Sequence, residues 1–440
     1  MARQRVQGRV ILGACPSYDY TQAVTKVTTP PNLALGSSAV VSGPTSYEFV
    51  IDLEHLPTQI SGQGRYSDLV EEAVRKFASK HSGPDFVYSP KKISKGLATR
   101  EVSDGLQVGS GIGLIVQSKA RAPNSISSAP REQSWVTKNA RKAGRQVDGT
   151  WRTLQKDHIV LDNSRGRPIM HDTRALKYVG VVIIDHPGPP AIVLDSIARL
   201  PTICITRRDW EFLHEQLGSA FAVSRYVERV AALPSVPLGK EIERYFRLAS
   251  RDHNPAVDIR GESPEERQSS ATASFKLPML PWRTRAAEYV RLWEAVRDSI
   301  GDLRVRSDQE VGRQRALEIL DSIPSDERLE TVTHLYHLRN LGSDRIEYVI
   351  IKFPDGLTRM VLGNVPGSND PKSRLEGVIL YVHAEREIFD AEDERSITVG
   401  FFMLPNQKMM FGVMQGRSGI SQDEAFKLHE EFGQPSSYTP

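Results

Sequence analysis

Residues 99–120, TREVSDGLQVGSGIGLIVQSKA, hold two apolar runs joined by the glycine cluster GSGIG. This pattern predicts an antiparallel hairpin whose glycines supply positive φ at the turn. The cluster is not a phosphate loop, because no GK[ST] follows it and no helix starts there. The polar content of the hairpin sets it apart. Its first run carries Glu101 and Asp104, and its second ends in Gln117 and Lys119. Strand alternation puts Leu114, Val116 and Ser118 on one face and Ile115, Gln117 and Lys119 on the other. In the first strand Glu101 and Ser103 share a face, and Asp104 takes the opposite one. The antiparallel turn then lets Asp104 lie near Gln117 across the ladder.

The surroundings read as mixed α/β. The segment 46–53 alternates as a strand, and 66–81 has an amphipathic helical stripe of Leu69, Val70, Ala73, Val74 and Phe77. After a polar loop at 125–133, residues 134–155 read as a long helix despite Gly144 and Gly149. Strands are expected at 177–185, 191–195 and 201–206, then helices at 206–217 and 222–233. Together they define a domain over 46–235. Residues 1–45, rich in Thr, Pro, Ser and Gly, are expected to be an extended arm. Residues 236–276 read as a helix and polar linker, since 251–276 holds few large apolar side chains. The remainder, 277–440, reads as an α+β domain. It has a helical stretch over 283–322, five strands (one of them EGVILYVHA, 376–384) and a closing helix at 421–431.

A chain of 440 residues exceeds one ordinary core, consistent with this division. Its net charge of +3 excludes a polycationic protein but not a local basic patch. Cys15 and Cys204 stand far apart, which excludes a disulfide framework and a cysteine-rich zinc site. The LGAC at 12–15 follows too short an apolar stretch for a signal peptide, and no run has the length of a membrane helix. A cytoplasmic protein without a membrane partner is expected.

An acid, a neighbouring amide oxygen and a lysine are the minimal equipment of a magnesium phosphodiesterase. Magnesium takes one or two carboxylates with substrate phosphate and water. In that chemistry Asp104 is the essential ligand for Mg²⁺ or Mn²⁺, Gln117 lends a carbonyl oxygen, and Ser118 offers its backbone carbonyl. Lys119 orients the attacking water or offsets charge in the transition state.

An acid on one strand, [D/E/Q]-x-K on the next and a following helix resemble the PD-(D/E)XK phosphodiesterases. EVSD…QSK is similar to the Mrr-like and nuclease-related-domain branch, in which Gln replaces the second acid. The Pro before the Asp is absent, and Ser103 stands there. The resemblance covers about residues 60–200. It implies an α-β-β-β-α-β core of the restriction-endonuclease kind, with the C-terminal α+β domain beside it. It further implies a metal-dependent nuclease, DNA favoured as substrate, with a plausible place in bacterial restriction or anti-phage defence. It also implies a third metal-site acid from the preceding helix, Glu71 rather than Glu72, and polar side chains from the following helix, among them Asn139, Lys142 and Gln146.

Charge points to the same kind of partner. From Lys119 to Gln146 there are Lys119, Arg121, Arg131, Lys138, Arg141, Lys142 and Arg145 against the single acid Glu132. Lys138, Arg141, Lys142, Arg145 and Gln146 are therefore the expected nucleic-acid contacts, with Trp135 available to stack on a base. Two other readings compete. One is a nuclease fold without catalysis that binds DNA or serves as a subunit of a larger complex, motivated by the missing second acid. The other is a protein-interaction role for the C-terminal domain.

Overall fold

The computed structural model describes residues 38–42, 48–52 and, apart from short connecting segments, 57–432. Most of the expected N-terminal arm lies outside the described residues. Two compact units divide the chain: Ala34–Ala287 with Glu318–Asp326, and Glu288–Leu317 with Glu327–Pro440.

In the first unit, β1 (Ser38–Ser42) and β2 (Glu48–Asp52) pair antiparallel. Helix α1 (Tyr66–Ser82) leads into β3 (Val87–Ser89). A small hairpin of β4 (Lys92–Lys95) and β5 (Ala98–Glu101) follows, with Lys92 opposite Glu101. Next come β6 (Gly105–Gly109), β7 (Ile112–Ala120) and α2 (Ala129–Leu154). The hairpin β8 (Ile159–Asn163) and β9 (Pro168–His171) precedes β10 (Lys177–Asp185) and β11 (Thr202–Thr206). Four helices complete the order: α3 (Arg207–Leu217), α4 (Ala220–Ala231), α5 (Glu241–His253) and α6 (Pro264–Thr272).

The strands form a seven-stranded mixed sheet in the order β11-β10-β7-β6-β3-β8-β9. β6 and β7 are antiparallel, closed by a tight turn in which Gly111 takes φ 72°, whereas β7, β10 and β11 run parallel. Alternation along these strands separates two helical layers. Leu114, Val116, Val181 and Ile183 pack with Val70 and Val74 of α1 and with α3, α4 and α5. Ile115, Val182 and Ile184 pack with Val136, Ala140, Ala143 and Val147 of α2. Continuous apolar runs in β7 and β10 follow from burial on both faces. Helix α2 lies close to the chain behind it: a Cβ on Gly144 would stand 2.0 Å from the Ile197 carbonyl oxygen.

Several expectations need correction. The 125–133 loop is shorter, because α2 begins right after Ser128 and Pro130 sits in its first turn, where a missing N–H costs nothing. Residues 191–195 are not a strand. Pro189 and Pro190 remove donors just before them, and Ser196 adopts φ 51°, so the segment runs as an irregular layer with Leu194, Ile197 and Leu200 buried against α2. The expected linker is part of the fold. It contains the helix α6, and Phe275 packs against the core. Its polar side chains are held in pairs, Arg229–Asp252, Arg247–Glu266 and Arg251–Glu262. The unit reclaims a distant segment as well: Asp321 accepts from the backbone N–H groups of Ala220 (3.2 Å) and Phe221 (2.6 Å) at the start of α4.

The second unit is α+β. It contains α7 (Ala287–Asp302), α8 (Glu310–Asp321) and α9 (Ser325–Asn340), whose ends run across the boundaries between the units. The strands β12 (Glu347–Lys352) and β13 (Thr358–Asn364) are followed by α10 (Pro371–Phe389). Then come β14 (Ile397–Met403), β15 (Met409–Gln415) and α11 (Gln422–Phe432). The sheet order is β12-β13-β14-β15, parallel only between β13 and β14, which α10 connects. The expected strand at 376–384 is thus the middle of α10. Leu375, Val378, Ile379 and Val382 recur at helical spacing and pack on Val361 and Phe402.

Candidate functional site

Asp104 occupies the bend just before β6. The register of the β6–β7 ladder pairs Gly105 with Val116, so one further step sets Asp104 opposite Gln117. The Asp104 Oδ2 accepts from the Ser118 backbone N–H at 2.7 Å, with the Ser118 hydroxyl at 3.4 Å. Lys119 Nζ lies 3.8 Å from the same oxygen and donates to the Ser118 carbonyl at 2.7 Å. That carbonyl, expected as a free metal ligand, is therefore engaged by the lysine. Both charged side chains are largely buried, at 14% and 16% exposure for Asp104 and Lys119.

Burial governs their ionisation. Desolvation pushes the Asp104 carboxyl up, against the opposing influence of Lys119, the Ser118 hydrogen bonds and Arg75. Desolvation pushes the Lys119 ammonium down, opposed by Asp104 and Glu71 and assisted by Lys142. Glu71 of α1 and Lys142 of α2 thus both act on Lys119 from the two helical layers. Glu72 instead pairs with Lys76 on the exposed side of α1.

Gln117 shares the α2 side of β7 with Ile115 and Lys119, as alternation requires. It is 2% exposed, and its Oε1 has no hydrogen-bond partner among the described residues. Gln146 on α2 likewise holds a buried Oε1 without a partner there. A buried unpaired acceptor costs free energy, so such oxygens suit a ligand that desolvated oxygen would bind.

This donor set fits a hard cation in a restricted way. The Asp104 carboxylate and Gln117 Oε1 are neighbouring oxygen donors. Among the described residues no group of three or more His, Cys, Asp or Glu is arranged to hold a metal ion. A magnesium or manganese ion would therefore rely on one carboxylate, an amide oxygen, water and substrate phosphate, which is within the habits of Mg²⁺.

The basic stretch divides into three parts. Lys138, Arg141 and Arg145 line an open groove along α2 with Gln133, Ser134 and Thr137. Lys142 is exposed and near enough to Lys119 to disfavour its charge. Arg121 is withdrawn from any phosphate role, because it makes two bonds to Glu132 at 3.0 and 2.8 Å. Arg121 and the bonds from His186 and Ser127 hold the Glu132 carboxyl down to about 2. Trp135 lies under the Arg121 guanidinium at 5.4 Å and beside His186, so it serves packing rather than a free stacking surface. Asn139 donates to the Trp135 carbonyl within its own helix.

Sequence reasoning missed Arg75. Its Nη1 donates to the Asp104 carbonyl oxygen at 3.1 Å. The available signal was spacing, because Arg75 stands four residues after Glu71 and so on the same side of α1. Among the described residues no helix is long and apolar enough to cross a membrane. No protein-family model, no curated protein and no solved structure matches this chain.

Proposed function

We propose that the first unit is a metal-dependent phosphodiesterase of the PD-(D/E)XK kind, cutting nucleic acid, with DNA the favoured substrate and restriction or anti-phage defence the setting. The observation that carries this reading is the Asp104 carboxylate bonded to Ser118 and 3.8 Å from Lys119 at the ends of adjacent strands. With the hairpins β4–β5 and β8–β9 taken as insertions, the chain order α1-β3-β6-β7-α2-β10 supports it, being the α-β-β-β-α-β order of that core.

Asp104 and Gln117 would hold Mg²⁺ or Mn²⁺, with Glu71 supporting from α1. Bound there, such an ion lowers the pKa of a water and polarises the phosphorus. Lys119, its ammonium disfavoured by burial, is suited to exchange a proton with the attacking water or to offset charge on the phosphate. Water adds to phosphorus, the ester oxygen leaves with its electron pair, and a proton is delivered to it. Lys138, Arg141 and Arg145 would neutralise neighbouring phosphates, and Lys142 and Gln146 would face the reacting end of the strand.

Plasmid cleavage with Mg²⁺ or Mn²⁺ tests this reading in the wild type, Asp104→Ala and Lys119→Ala. Cutting by the wild type that both substitutions abolish supports it. Cutting that survives both sinks the site. A second reading, a DNA-binding or scaffold protein without catalysis, is favoured by the single carboxylate and by the Lys119 ammonium already beside it. Salt-sensitive binding by a wild type that never cuts would select that one.

A further inference from the structure

Arg75 differs from other arginines of the same unit in what it binds. Arg121, Arg165, Arg207, Arg229, Arg247 and Arg251 each pair with a carboxylate. Arg75 is half-buried and has no carboxylate partner among the described residues. Its one hydrogen bond there is to the backbone carbonyl of Asp104. Its stem runs beside the first residue of β6, where a Cβ on Gly105 would stand 3.5 Å from the Arg75 Cγ. The guanidinium is therefore fixed at the Asp104 bend by one donor, which leaves the others of its planar fork for something else.

The charges around it specify that partner. Among the described residues Arg75, Lys119 and Lys142 are set against Asp104 and Glu71, Glu72 beside Arg75 is already paired with Lys76, and the neutral Gln117 adds no further acid. A surplus positive charge on partly buried side chains attracts a single anion, and a guanidinium fork matches two oxygens of a phosphate. We propose that Arg75 is a phosphate-binding residue of this site, which takes the scissile phosphate before any metal arrives. This rests on the phosphodiesterase reading for the identity of the substrate, but the anion site itself is tested without cleavage.

The experiment is the binding of inorganic phosphate in EDTA, followed by calorimetry or ³¹P line broadening. It compares the wild type, Arg75→Met, Arg75→Lys and Lys177→Ala, the last removing a cation at the opposite end of β10. The wild type is expected to bind. Arg75→Met should weaken binding about tenfold or more, the loss of a charged hydrogen bond. Arg75→Lys keeps charge and stem and should fall between, and Lys177→Ala should match the wild type. Thermal melts establish that the variants are folded, and the lysine variant alone reads the loss of the fork if the methionine variant is not. A wild type that binds no phosphate, or Arg75 variants that bind as it does, overturns the proposal. Arg75-dependent phosphate binding by a protein that never cuts nucleic acid leaves the anion site standing and sinks the phosphodiesterase reading instead.

Discussion

The Asp104 carboxylate is held by the backbone N–H of Ser118 at 2.7 Å, across the β6–β7 ladder. Because the donor is main chain, the position of this carboxylate does not depend on any one side chain of β7. Asp104→Asn retains an oxygen that can accept the same bond. It is expected to reduce metal-dependent cleavage about a hundredfold or more, by removing the charge that meets the cation. The Asp104 pKa is raised above 3.8, so the folded state binds a proton more tightly than the unfolded one. Its stability contribution is present at low pH and lost as pH rises through the raised value. Urea titrations at pH 7 should therefore find Asp104→Asn no less stable than the wild type.

Lys138, Arg141 and Arg145 share the α2 groove. If each neutralises one phosphate of duplex DNA, replacing all three with alanine should reduce the slope of log K against log salt by about 2.7. Filter binding or anisotropy between low and moderate salt measures it. A slope that stays at the wild-type value removes the groove from the binding surface.

Glu132 gives a pH signature. Its carboxyl is lowered from 4.5 to about 2, so its contribution to stability is complete above about 4.5 and is lost as pH falls toward about 2. In Glu132→Gln this part of the acid sensitivity should disappear. Denaturation midpoints followed from pH 5 down to pH 3 should fall less steeply than those of the wild type.

Gly144→Ala should destabilise the first unit by about 2 kcal/mol, since its Cβ would meet the Ile197 carbonyl oxygen at 2.0 Å and one of the two segments must move. The same change at Gly312 in α8 would bring a Cβ no nearer than 3.8 Å to the Val413 side chain, an ordinary contact. Chemical denaturation of the two variants side by side distinguishes a packing constraint from simple helix propensity, which would favour alanine at both.

Local patterns carried much of the architecture. The β6–β7 hairpin was readable because two apolar runs flank a glycine turn and are broken by the polar Asp104, Gln117 and Lys119. The failures share a cause, which is that neighbours decide what a short apolar run becomes. Residues 376–384 are rich in β-branched side chains, yet their burial follows a helical stripe set by the sheet beneath. Residues 191–195 have the composition of a strand but stand between prolines and Ser196. The polar composition of 251–276 concealed a folded segment, because arginine–carboxylate pairing takes the place of an apolar face. At the site, strand alternation and the antiparallel turn were enough to bring Asp104, Gln117 and Lys119 together. Arg75 was not legible, since its role depends on the main-chain carbonyl of Asp104, 29 residues along the chain, and sequence spacing says nothing of carbonyl direction.

The carboxylate of Asp321, which closes the start of α4, has a practical corollary for anyone dissecting this chain. A fragment ending at Ala287 would strip two amide hydrogens of their acceptor, and a fragment extended to Asp326 would carry a helical stretch cut off from its own companions. Residues 318–326 belong with the first unit although 288–317 do not, so separate expression calls for a graft of residues 318–326 through a short bridging loop instead of a single cut.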